Sequence, residues 1–199
     1  MKKNFFLIFF ILFDLVFCEA VYAKPYPEYP MLDQFQYEKE DPAEVQYINS
    51  KDLEKYRVTF VEGARAYIGG VAVEGTSLTF VMDKDGNMYA SPDKMNLHHS
   101  SFLRGEKVAC AGHLFLSEGV LHTVMNSSGH YVPPASSLIA VAEELLGRGV
   151  DIRDMTFLPV QSKDVHSIEA EVKHMISEKK KAEKIKAKGC RSILDQILG

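Results

Sequence analysis

The sequence predicts an α+β fold in which antiparallel β-hairpins carry the core, one helix packs on them, and an amphipathic helix closes the chain. Three observations support this. Short apolar runs dominate residues 51–160, and turn-forming segments such as Asp85-Gly86 and Ser117-Glu118-Gly119 separate them. The apolar spacing changes to a helical period only after Pro133-Pro134. The 199 residues are 46% hydrophobic and 11% aromatic, which supplies one core of moderate size and argues against disorder throughout. That length is too short for two full-sized enzymatic domains. The formal charge of −4 argues against a general nucleic-acid binder, which carries an overall basic footprint.

The chain opens with Lys2 and Lys3, followed by an apolar run from Phe5 to Phe13 that Asp14 interrupts. Val21-Tyr22-Ala23 then places small residues where a signal peptidase reads them, so residues 1–23 are expected to be a signal peptide. A secreted or periplasmic chain follows from that expectation, with no stable membrane span left once the segment is removed. Residues 24–50 hold four of the eight prolines and predict an extended, solvated lead-in. Of the mature cysteines, Cys110 sits in the apolar run Val108–Ala111 and reads as a buried thiol, while Cys190 lies in a charged tail. Export would also permit the two to pair.

Within residues 51–160, Tyr56, Val58 and Phe60 alternate as a half-buried strand. Leu78–Met82 and Met88–Ala90 flank Asp85-Gly86 as a hairpin. The D-x-D-G run is no calcium loop, because Lys94 stands where the twelfth-position Glu belongs. A second hairpin joins Lys107–Leu116 to Gly119–Met125. Leu138, Val141, Ala142, Leu145 and Leu146 share a helical face, with Glu143 and Glu144 expected opposite, Ser136 or Ser137 as cap, and Gly147 or Gly149 as stop. Met155–Val160 fits a closing strand. Residues 161–199 form a basic helical tail, with Val165, Ile168, Val172, Met175 and Ile176 as an apolar stripe over 165–185. Residues 163–199 hold nine Lys/Arg against six Asp/Glu, whereas residues 24–162 hold 12 against 19. The lysine run reads first as a solvated face, with Glu178 and Glu183 as local partners.

Two clusters bear the chemistry. His98-His99-Ser100-Ser101-Phe102 lies at one end of the second hairpin and Ser127-Ser128-Gly129-His130-Tyr131 at the other. Antiparallel strands reverse direction, so the flanks are expected to meet. The candidate ligand-binding residues are His99, Ser100, Ser101, Ser128, His130 and Tyr131, since imidazoles beside hydroxyls suit acid–base work near neutral pH. The same residues also suit a structural role, satisfying buried backbone groups. Direct catalysis lacks an identifiable acid and a G-x-S-x-G elbow. His98, His99, His113, His122 and His130 lack zinc-ligand spacing, so no metal and no cofactor is expected. His113 and His122 are placed across from each other on the hairpin.

Several segments from about Leu53 to Pro159 carry a resemblance. They are Leu53–Val58, Phe80-Val81-Met82, His99-Ser100-Ser101-Phe102-Leu103-Arg104-Gly105, Ala111-Gly112, Gly119-Val120-Leu121, Ser128-Gly129-His130-Tyr131 and Gly149-Val150-Asp151. In order and spacing this stretch resembles the portion shared by the plant IQ-motif-containing calmodulin-binding proteins and related bacterial and fungal proteins. The resemblance implies calmodulin binding through an IQ segment outside the shared region. No I-Q-x-x-x-R-G pattern occurs here, so calmodulin is not expected as a partner, and the resemblance supplies no enzymatic activity. The expectation is an exported binding or effector-type protein, secreted or periplasmic, with an unknown ligand or host protein as partner. The alternatives are a transferase (such as ADP-ribosyl transfer) or hydrolase, and a structural envelope protein.

Overall fold

The computed structural model describes residues 29–34, 45–61 and 63–198. The signal-peptide segment and most of the proline-rich lead-in lie outside the described residues. The fold is α+β, with eight strands in one sheet: β1 Val58–Val61, β2 Arg65–Ile68, β3 Val71–Ala72, β4 Ser77–Met82, β5 Met88–Pro92, β6 Cys110–Ser117, β7 Val120–Met125 and β8 Thr156–Leu158. Three helices accompany them: α1 His99–Phe102, α2 Ser136–Gly147 and α3 Val165–Leu198. The strand order is β1-β2-β7-β6-β4-β5, with β3 on β2 and β8 on β7. Arg57 bridges Tyr89 antiparallel, so the path returns on itself as a barrel-like ring. β8 alone runs parallel to its neighbour.

Both predicted hairpins form. Gly86 supplies its positive φ of 78° between β4 and β5, and the Asp83 carboxylate accepts from the Asp85 and Asn87 backbone N–H groups. Between β6 and β7, Glu118 and Gly119 have φ of 52° and 78°, the paired left-handed residues that a two-residue hairpin turn demands. The register of that hairpin shifts between Phe115 and Leu116. Thr123 pairs with Phe115 and Leu121 with Leu116, so His122 is the extra residue of a bulge. His113 pairs with Met125, and His122 is exposed with its ring on Thr123 Oγ1. The expected His113–His122 facing is therefore absent.

Leu78, Phe80 and Met82 point to one face of β4, where α2 packs through Leu138, Val141 and Leu145. Val81 and Tyr89 point to the other face and join Phe102, Leu97, Val108 and Tyr131 in a second apolar cluster. Cys110 belongs to the first core as a free, fully buried thiol donating to Ser137 Oγ at 3.4 Å; burial pushes its pKa up to about 12.

Two expectations need correcting. Glu144 is not on a solvated helix face. It is 3% exposed, accepting from the Tyr29 hydroxyl at 3.1 Å and from Arg148 Nε at 2.5 Å. Nor are the described parts of the lead-in solvated throughout. Tyr29, Val45 and Ile48 are buried, and Leu32 exchanges backbone hydrogen bonds with Val108 in an isolated antiparallel bridge. Its interspersed apolar residues anchor these parts on the fold. The helix caps also differ in detail: neither Ser136 nor Ser137 caps α2, whose Ser137 hydroxyl donates to Pro134 O instead, while Gly149 at φ 82° does end it.

Candidate functional site

α1 is a single turn that the H-H-S-S sequence encloses by itself. The His98 N–H donates to Ser101 Oγ at 3.1 Å, and the Ser101 N–H reaches the His98 side chain, a reciprocal cap. The turn ends at Arg104 and Gly105, with φ of 55° and 78°, and the Gly105 N–H closes on Ser100 O at 2.8 Å. Gly105 also admits a close neighbour: a Cβ there would meet Gln34 Nε2 at 2.5 Å, and that amide donates to Gly105 O. From the lead-in, the Ile48 N–H donates to Ser101 O at 2.9 Å. Phe102, 1% exposed, meets Tyr56 edge-on with ring centroids 5.9 Å apart.

The second motif folds back onto the first. The Tyr131 N–H donates to Ser128 Oγ and the Val132 N–H to Ser128 O, which forms the turn. The Tyr131 ring is buried in the second cluster, and its hydroxyl donates to Glu106 O at 2.8 Å, just after the α1 turn. The His130 and His98 rings lie 6.2 Å apart. The two flanks of the hairpin thus meet, but His130 meets His98.

His99 goes elsewhere. It is buried, its Nε2 lies 3.0 Å from Gly112 O, and its ring stands edge-on to His113 at 5.4 Å. The carbonyl partner requires a proton on Nε2. Burial first, then the neighbouring imidazoles, push its pKa down to about 4 against the upward pull of Gly112 O. His99 is therefore neutral at pH 7. The unfolded chain takes up this proton near pH 6.5 and the folded protein only near 4. This contribution to stability is full above pH 6.5 and is lost as pH falls toward 4, by up to about 3 kcal/mol. Urea melts of His99→Gln, compared with the parent between pH 7 and 4, are expected to lack that component; equal slopes would show that His99 titrates normally.

Ser100 and Ser101 are buried at 1% and 0% exposure. A cavity of about 450 Å³ beside the second motif takes Ser128 into its wall, with Asn126, Gly129, Val132, Pro133 and Val160. Its wall does not include His99, Ser100, Ser101, His130 or Tyr131. Two residues here are not singled out by the sequence. Asn126, buried, donates to Pro133 O at 2.7 Å and accepts from the Val160 N–H, tying β7 to the segment after β8. Val132 holds φ at 40°, strained for a β-branched residue. The S-G-H-Y-V-P-P run carries no signal for either. Among the described residues, no group of three or more His, Cys, Asp or Glu is placed to hold a metal.

Residues 53–138 of this fold match the IQ motif-containing protein middle domain. Three similar proteins come from Arabidopsis thaliana. IQ domain-containing protein IQM3 is 34% identical over 102 residues, covering 47% of this chain and 22% of that protein. IQ domain-containing protein IQM1 is 28% identical, covering 56% and 24%, and IQ domain-containing protein IQM2 is 27% identical, covering 66% and 23%. The chain thus spans less than a quarter of the length of these relatives. No solved structure matches the chain. Both motifs, and Gly112 between them, lie inside the matched middle-domain region.

The matches overturn the expectation of an exported binding or effector-type protein, secreted or periplasmic. The proteins that the chain resembles are plant IQ domain-containing proteins, and none is named as an effector. The same finding corrects the partner expectation, which set calmodulin aside for a host protein or unknown ligand.

Proposed function

We propose that the chain is a non-enzymatic, partner-binding protein of the IQ-domain kind, in which one module from about Leu53 to Pro159 serves as a rigid carrier. In this reading the H-S-S-F-L-x-G and S-G-H-Y elements are the brace of that carrier. The observation that carries it is the pair of side-chain bonds to backbone, His99 Nε2 to Gly112 O and the Tyr131 hydroxyl to Glu106 O. Both spend groups that a reaction would need on holding the carrier together. Ser101 is spent likewise, on capping α1. Calmodulin, the partner that the family resemblance implies, is the first to test, and no IQ pattern in this sequence assigns the contact segment.

Stability and binding separate if the motifs are a brace. Tyr131→Phe removes one buried hydrogen bond and is expected to cost about 1–2 kcal/mol in a urea melt. Calorimetry of the full chain with calmodulin, with and without calcium, is expected to show binding that this variant changes less than about twofold. A variant of full stability that has lost binding would make the cluster a direct contact site. A full chain that ignores calmodulin in both states would remove the partner.

A further inference from the structure

α1 sits where the imidazoles and the amino-terminal thread meet. Its cap His98 has the His130 ring at 6.2 Å, and its first residue His99 has the His113 ring at 5.4 Å. The same segment holds the thread: Ser101 O accepts from the Ile48 N–H, and Gly105 O from the Gln34 amide at 2.6 Å. Both histidines of α1 do their work in the neutral form. The His98 side chain accepts the Ser101 N–H, and a ring protonated on both nitrogens has no lone pair left to accept it. His99 is buried and bonds Gly112 O, so a second proton would leave a charge out of water.

The surroundings offer that charge no counterpart. The groups acting on the His99 ring are Gly112 O and His113 from β6, His130 from the turn after β7, and His98 beside it. β4, on which α1 packs, is Ser77–Met82 and holds no titratable side chain. The lead-in brings Asp33, paired with Lys107 at 3.0 Å, while Tyr56 meets Phe102 and the Tyr131 hydroxyl donates to Glu106 O. Arg104 and Glu106 follow α1 in the chain. Neither Asp33 nor Glu106 is among the groups acting on His99. We propose that α1 is an acid-released latch, which pins the thread at Ile48 and Gln34 near neutral pH and lets go of it when the imidazole cluster takes up protons. The sheet stays folded, because its inner core contains no histidine.

The sign follows from the burial of His99. Above pH 6.5 the ring is neutral whether the latch is shut or open, and shut wins; as pH falls toward 4 only the open form gains the proton. At pH 5 this favours opening about thirtyfold from His99 alone. His98 acts in the same direction, since its proton removes the cap and sets a charge beside His130. The inference rests on the brace reading of the two motifs and adds that the brace is reversible.

Amide hydrogen exchange of the full chain, followed by residue at about pH 7.5 and about pH 5 and corrected for the intrinsic pH dependence of exchange, tests this. The Ile48 and Gly105 N–H groups are expected to lose protection at least about thirtyfold at the lower pH, and those of β4 and β6 less than about threefold. His98→Asn keeps a capping acceptor and His99→Gln keeps a donor for Gly112 O. The double variant is therefore expected to hold the Ile48 and Gly105 amides within about threefold across the same range. Unchanged protection in the parent, an equal loss in the double variant, or an equal loss throughout the sheet would overturn the latch. None of these outcomes touches the brace reading, which Tyr131→Phe tests at neutral pH with the latch shut.

Discussion

Gly112→Ala is expected to lose about 4 kcal/mol of stability or to prevent folding outright, a large effect for a single methyl group. A Cβ at Gly112 would collide with Met125 O and lie 2.9 Å from Asn126 Cα, both backbone atoms. No side chain can move aside to relieve that contact. β6 and β7 would have to separate at the rung where His113 pairs with Met125, and the Gly112 carbonyl that receives His99 would shift with them. The effect therefore reaches α1 as well as the sheet. A denaturant melt of the variant measures it. A loss under about 1 kcal/mol would mean that the strands do not approach as closely as described.

Glu144→Ala is expected to cost about 3–4 kcal/mol, because it strands two donors in a buried setting. The Tyr29 hydroxyl loses its acceptor, and Arg148, which also donates to Gly86 O at 3.2 Å, loses its counter-charge. The environment around Tyr29 already disfavours charge: burial and then the nearby Glu144 carboxylate raise its pKa above the ordinary phenol range. Gly86 completes the enclosure, since a Cβ there would collide with the Glu144 carboxyl group. Tyr29→Phe leaves the Arg148 pair in place and is expected to cost only about 1 kcal/mol. Equal losses from the two variants would show that the hydroxyl, not the ion pair, holds the segment.

Both hairpins were legible because their turns are chemically distinctive. Gly86, and the pair Glu118-Gly119, provide the left-handed positions that few other sequences tolerate. β2 and β3 were not legible, since Arg65–Ile68 and Val71–Ala72 are too short to show a period and are placed by pairing with distant strands. Glu144 was misplaced because helical periodicity reports a side chain's angle and is silent about a tyrosine arriving from 115 residues away. The two motifs were correctly brought to one side of the molecule by the reversal of β6 and β7. Which imidazole meets which was decided by α1, a four-residue turn that sends His98 and His99 in different directions. The expected tail helix stops short at 185, whereas α3 continues through the lysine run, where lysine, alanine and glutamate are good helix formers.

The threading of Tyr29, Leu32 and Ile48 into both apolar clusters has a consequence for where this protein begins as a physical object. Homology marks its first residue at 53, but the chain upstream fills space that would otherwise be hollow on two sides of the sheet. Cutting at the homology boundary would take the Tyr29 hydroxyl from the Glu144 carboxylate and the Ile48 backbone donor from Ser101 O. The cooperative unit is longer than the inherited one, and its amino-terminal thread belongs to the interior.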